Sequence, residues 1–197
     1  MEIDDFWVRI EECRRQGRGR GERLAWLRGE LAREPLRELV KFQVCLDQVT
    51  QDAFTWDLWA AAEQIFGGWC SDDSFCYFGL WMVGLGRDAF ERAVADPDAL
   101  ADAPEVQRLA GRPRDEWDDD DWPEWELLDY VARETYEQVV GGVDDCGDGF
   151  DEAVTAAERG GGAIARGPAG ERWDARGEEA ARRLPALSAL FPLPARS

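Results

Sequence analysis

The chain has 197 residues, of which 45% are hydrophobic and 11% aromatic, with ten tryptophans; it is long enough for one hydrophobic core and too apolar for a disordered protein. Its formal net charge is −19, from 42 acids against 23 bases, which argues against direct binding to DNA, RNA or anionic lipid and favours cations or basic proteins. It contains no histidine, which removes Ser-His-Asp and Cys-His mechanisms and the usual histidine-rich zinc or iron sites.

The acid excess is uneven: residues 1–40 are balanced, and the whole surplus lies in residues 41–197. β-Branched residues are sparse, whereas Ala, Leu, Glu and Arg are abundant, which points to helix. The cysteines are Cys13, Cys45, Cys70, Cys76 and Cys146, an odd number with no C-x-x-C pair. That argues against a disulfide framework or a thiolate zinc site and for reduced thiols. No secretory signal opens the sequence, and its longest near-continuous apolar run, 75–85, is about half of the roughly 20 residues that span a bilayer. The expectation is a cytoplasmic protein with no membrane association and no cofactor.

In chain order, residues 3–15 read as an amphipathic helix capped by Asp4 or Asp5, with Ile3, Phe6, Trp7 and Ile10 at helical spacing. A Gly-Arg run at 17–21 breaks it, and 22–33 form a second helix with Leu24, Leu27 and Leu31 on one face. Pro35 opens a third helix carrying Leu36, Leu39, Val40, Phe42, Leu46 and Val49. A fourth begins near Thr55 and stops at Gly67 and Gly68. Ser71 then caps a helix that holds Asp72 and Asp73 in its first turn and is apolar on every side from Phe75 to Leu85. A helix of that kind belongs at the centre of a bundle.

A short amphipathic helix, 87–94, precedes Asp96 and Pro97, and residues 97–123 read as an acidic, tryptophan-containing loop. Helix resumes near Glu124, with Leu127, Leu128, Val131, Ala132, Thr135 and Val139 as its buried stripe. A turn at 141–149, a short helix at 151–159 and a glycine-rich loop at 160–170 follow. A last helix, 178–190, is bent at Pro185. The fold expected is all-α: a single-domain irregular helical bundle over 1–197, built around the apolar helix at 75–85.

Several stretches taken together are familiar. They are Ile3 to Trp7, the Thr55-Trp56-Asp57-Leu58-Trp59 run, the block from Gly67 to Phe78 that contains Ser71-Asp72-Asp73, Trp81, Gly86-Arg87 and Phe90, Ala95 to Asp98, and Gly170-Glu171-Arg172-Trp173-Asp174. The chain resembles, over nearly its whole length, a bacterial family catalogued as domain of unknown function 4240. The resemblance implies a single-domain bacterial protein and carries no activity with it.

Four constellations bear on chemistry. Gly84, Gly86 and Ala89 match a dinucleotide fingerprint in form, but the run before them reads as helix where that site needs a strand. The segment from Asp144, with Asp148 fifth and Glu152 ninth, has the start of a calcium loop, yet Cys146 and Thr155 occupy two ligand positions; the expectation is an acidic turn and no metal. Asp57, Asp72 and Asp73 form the best catalytic candidate, because grouped carboxylates hold hard metals or work as acid and base, and because Asp57 between two tryptophans is open to desolvation. The competing reading is that these groups only cap helices. Finally, residues 115–129 hold nine acids and no base. In that stretch Trp117, Asp118, Asp119, Asp120, Asp121, Trp122 and Trp125 read as a docking patch for a basic protein, or as an acidic loop pinned back by its indoles.

Two functions follow. The first is a non-enzymatic, acidic, cytoplasmic protein-binding module, inhibitor-like or immunity-like, that engages a basic partner. The second is an enzyme or small-ligand binder with a carboxylate-lined pocket near Asp57, Asp72 and Asp73.

Overall fold

A computed structural model describes residues 1–17, 19–141, 148–158 and 167–193. More than half of these residues are helical, and among them there is no strand, only an isolated bridge between Thr55 and Ala169. The protein is all-α, as its apolar spacing requires. Its contacts gather into two compact units, Met1–Gln51 with Trp125–Ile164 and Asp52–Glu124 with Ala165–Ser197.

In the first unit, α1 (Ile3–Arg14), α2 (Arg20–Leu31), α3 (Leu36–Asp52), α8 (Leu127–Val140) and α9 (Asp148–Glu158) supply the core. Phe6, Ile10, Leu27, Leu31, Leu39, Phe42 and Leu46 are fully buried. Each such side chain contributes about 1.5–3 kcal/mol by leaving water. Phe6 packs on Trp7 and Phe42 at ring separations of 5.4 and 5.2 Å. α1 is capped by Glu2 in a reciprocal capping box with Asp5, two residues before Asp4 and three before Asp5, the caps expected from sequence. In α8 the buried stripe is Leu128, Val131, Ala132 and Thr135. Leu127 and Val139, read from sequence as part of it, are 54% and 44% exposed. They sit at the edge of a stripe narrower than the apolar pattern suggests.

The second unit contains α4 (Trp56–Phe66), α5 (Asp72–Gly84), α6 (Arg87–Ala95), α7 (Pro104–Gln107), α10 (Glu178–Arg183) and α11 (Pro185–Leu190). Residues 97–123, expected as loop, hold two 3-10 turns, Pro97–Asp102 and Arg114–Glu116, and the short α7. The expected bend at Pro185 is real: Leu184 leaves helical geometry, α11 restarts at the proline, and the Asp98 carboxylate accepts from the Ala186 and Leu187 amides at 2.9 Å to cap it. In α5, Phe75 and the run from Phe78 through Gly84 are buried, while Cys76 is exposed and Tyr77 half-buried. The first turn of this apolar helix therefore reaches the surface. α5 leads through Leu85 and Gly86 into α6, helix into helix, so the glycines there lack the strand of a dinucleotide site.

Candidate functional site

The site lies in the second unit and is built by three short stretches. Thr55 caps α4, its hydroxyl accepting from the Leu58 amide at 3.1 Å, which sets Trp56, Asp57 and Trp59 on the first turns. The Trp56 amide donates to the Ala169 carbonyl at 2.9 Å, and the Ala169 amide to the Phe54 carbonyl at 2.8 Å. These two bonds clip residues 169–173 alongside the start of α4. The Arg172 guanidinium then lies 5.0 Å from the Trp56 ring centre, and the Trp173 indole N–H donates to Asp57 at 2.6 Å.

The third stretch begins at the end of α4, where Gly67 and Gly68 turn the chain with φ of 90° and 100°. Only glycine takes this conformation without strain. Arg114 donates to the Ile65 carbonyl in the last turn of α4 at 3.0 Å, and Arg176 to the Gly68 carbonyl in the turn that follows at 3.0 Å, so one guanidinium satisfies the helix end and a second the turn. Trp69 leaves the turn 72% exposed. Ser71 caps α5: its hydroxyl oxygen accepts from the Ser74 amide at 3.1 Å, and its hydroxyl donates to the Ser74 hydroxyl at 3.0 Å. Asp72 and Asp73 occupy the first turn, favoured there by the helix dipole.

Between these stretches lies an open cavity of about 520 Å³, walled by Trp56, Trp59 and Trp69, with Cys70, Ser71, Asp72, Asp73 and Arg172 completing the lining. That volume falls in the range of small-molecule sites. Trp59 is held in place by stacking on Phe75 at 4.5 Å and leaning on Trp56 at 5.2 Å. Among the described residues, the side chains of Asp72, Asp73 and Arg172 form no ion pair with one another or with any other residue.

Asp57 is not in this cavity. Its exposed carboxylate is engaged by Trp173 and by Arg183, 3.3 Å away, so the flanking tryptophans do not desolvate it. The proposed trio is thus a pair, Asp72 and Asp73, and helix capping and cavity lining coexist in the same residues. Cys70 is a poor nucleophile: burial, aided by the nearby Glu124, pushes its thiol up to about 12. The residues that sequence reasoning missed are Trp69 and Arg172. Both sit in the stretches that carry the family resemblance, which was the available signal.

The acidic tryptophan stretch is packed. Trp117 and Trp125 are buried and Trp122 is half-buried. Trp122 stacks on Phe66 at 6.2 Å and meets Trp117 edge-on at 5.1 Å, and the Arg114 guanidinium lies 5.8 Å from the Trp117 ring centre. Asp121 is buried and bound by Arg112 at 2.7 Å and Arg108 at 3.5 Å, while Asp118 accepts from the amides of Asp120 and Asp121 at 3.0 Å. Only Asp118, Asp119 and Asp120 of the four aspartates face solvent.

Asp144 lies outside the described residues; α9 starts at Asp148, and Glu152 is exposed on it. Among the described residues no group of three or more His, Cys, Asp or Glu side chains is placed to hold a metal ion, and no helix is long and apolar enough to cross a membrane.

No curated protein and no solved structure matches the chain. Residues 1–138 match a family described as "Protein of unknown function (DUF4240)", a span that includes the Trp56 to Asp73 part of the cavity and stops before Arg172. With well over half its length matched, the chain belongs to the DUF4240 family.

Proposed function

We propose that this is a non-catalytic, cytoplasmic bacterial protein that binds a small molecule bearing an organic cation, with the tryptophan-walled cavity as its site. The observation that carries the reading is that two carboxylates without partners among the described residues, Asp72 and Asp73, share one cavity of about 520 Å³ with three indole rings. An indole face attracts a cation with roughly 0.5–2 kcal/mol, more when the cation is easily desolvated, and carboxylates at the rim complete its charge. Catalysis is less well supported. The Ser71 hydroxyl is occupied by its own helix, the Cys70 thiol is held protonated, and the chain has no histidine to act as base. Cys13, Cys45, Cys70 and Cys76 are thiols and not disulfides, which suits a reducing compartment.

Calorimetric titration with two trimethylammonium compounds, choline and glycine betaine, tests this. Saturable binding of at least one, weakened tenfold or more by the D72N/D73N double variant, is the expected result. No saturable binding of either compound rejects the reading.

A basic protein partner, with an inhibitor-like or immunity-like role, is the second reading, and the exposure of Asp118, Asp119 and Asp120 favours it. With the neighbouring tryptophans packed inward, such a complex would rest on charge. Replacing these three aspartates by asparagine should then abolish a salt-sensitive association with a poly-lysine peptide.

A further inference from the structure

We propose that the ligand of the tryptophan cavity is a zwitterion, whose cationic end meets Asp72 and Asp73 and whose carboxylate meets Arg172. The inference rests on the reading of the cavity as a ligand site and adds a second charge to it. Its starting point is Arg172, which lines the same cavity as the two aspartates. Its guanidinium lies 5.0 Å from the Trp56 ring centre and forms no ion pair or hydrogen bond among the described residues.

An arginine beside two carboxylates ordinarily pairs with one of them. Here the clip between Ala169 and the Phe54–Trp56 backbone brings residue 172 beside the start of α4, where its guanidinium makes a cation–π contact with Trp56 and no ion pair with either aspartate. Lying 5.0 Å from the Trp56 ring centre, with no ion pair or hydrogen bond among the described residues, the guanidinium can offer its N–H groups to a carboxylate in bidentate fashion. A simple cation entering the cavity meets two negative groups and one positive one, so part of its attraction is cancelled. A zwitterion turns that repulsion into a second contact. The indoles of Trp59 and Trp69 serve an alkylated ammonium better than a bare one, because its hydration shell is easier to remove. The two ends of the ligand must be far enough apart to reach opposite charges that do not reach each other.

The experiment compares three probes by calorimetry on the intact chain: choline, which carries the cation alone, and glycine betaine and carnitine, which add a carboxylate at two different spacings. At least one zwitterion should bind tenfold or more tighter than choline. In R172A, whose helicity is checked by circular dichroism, that zwitterion should fall to the level of choline. Because residue 172 is exposed, the substitution should leave the fold intact. Choline binding as tightly as both zwitterions, or a preference that survives R172A, overturns the zwitterion proposal and leaves the cation site standing. No saturable binding by any probe removes the site itself.

Discussion

Arg112 donates to the Asp121 carboxylate at 2.7 Å, across a turn that carries four consecutive aspartates. Arg108 approaches the same carboxylate at 3.5 Å, so the innermost of the four charges is compensated by two bases that precede the acidic run in sequence. The pair anchors the turn that presents Trp117 and Trp122 to one another and to Phe66. Truncating a buried tryptophan typically costs about 3–5 kcal/mol. W117A should therefore lower the melting temperature by about 10 °C in a chain of this size, following the usual relation between stability and melting point. A thermal melt followed by circular dichroism reads this. A W117A protein that melts with the parent would place the indole outside the core and return it to the candidates for partner contact.

The turn after α4 makes a sharper prediction. A Cβ at Gly67 would lie 2.4 Å from the Arg114 guanidinium carbon, and one at Gly68 would lie 2.1 Å from a terminal nitrogen of Arg176. Both residues also have positive φ. G67A should cost about 1–3 kcal/mol in a urea titration, combining backbone strain with displacement of Arg114. The arginine is the far end of a flexible side chain, so the R114A background should relieve the clash and leave the backbone part of the cost. Equal costs in both backgrounds would show that Arg114 moves freely and that strain alone acts.

Much of the fold was legible because helical periodicity is a local property. Ser71 as a cap, a helix start near Thr55, Gly67 as a stop and a bend at Pro185 each follow from one or two residues and the backbone groups they satisfy. The site was legible only in part. Asp72 and Asp73 are adjacent in sequence and fall together in the cavity, whereas Asp57 belongs to a different face of its helix and is claimed by Trp173 and Arg183. Arg172 is more than a hundred residues from Trp56, and what joins them is the backbone clip at Ala169, which no periodicity encodes. The acidic stretch was legible in part: Asp115, Glu116, Asp118, Asp119, Asp120 and Glu126 are exposed, whereas Asp121 is buried. Nine acids without a base suggest exposure, yet the bases that neutralise Asp121 lie upstream, at Arg108 and Arg112.

Thiol reactivity separates the cysteines. Cys76 is exposed on α5, whereas Cys13, Cys45 and Cys70 are buried. Burial pushes the Cys13 thiol up to about 11, with Arg23 opposing the effect, and raises that of Cys70 further, to about 12. Thiolate is the reacting form, so both groups are nearly inert at neutral pH even where reagent reaches them. Among the cysteines of the described residues, iodoacetamide at pH 7.5 should label Cys76 first, with Cys13 and Cys70 labelled only after unfolding in urea. Peptide mass mapping checks the order, and early labelling of Cys70 in the native protein would contradict its burial in the cavity wall.

Stability should depend on pH through Asp47, on α3. Burial pushes its carboxyl up from an ordinary 3.8 to about 6; the hydrogen bond from Gln43 opposes the shift, and the nearby Asp129 and Glu158 add to it. Gln43 donates to Asp47 at 2.9 Å and reaches Asp129 at 3.4 Å, and burial raises the Asp129 carboxyl as well. Between about pH 4 and pH 6 the folded chain holds more protons at Asp47 than the unfolded chain does. Stability therefore falls as pH rises through that window and levels off above it. Glu38 and Asp121, whose carboxyls are lowered by the N-terminal amine and by Arg112, act in the opposite direction, but their contribution is lost only as pH falls below the ordinary carboxylate range. Comparing pH 4.5 with pH 7 thus reads the raised carboxyls of Asp47 and Asp129, and a substitution at Asp47 separates the two. Two pKa units correspond to about 3 kcal/mol, and partial solvent access reduces that to on the order of 1–2 kcal/mol. D47N keeps the hydrogen-bonding shape and removes the charge, so it should be more stable than the parent by that amount at pH 7 and close to it at pH 4.5. Urea titrations at the two pH values measure the difference. A D47N protein that is destabilised at pH 7, or that gains equally at both pH values, would show that Asp47 ionises in the folded chain without cost.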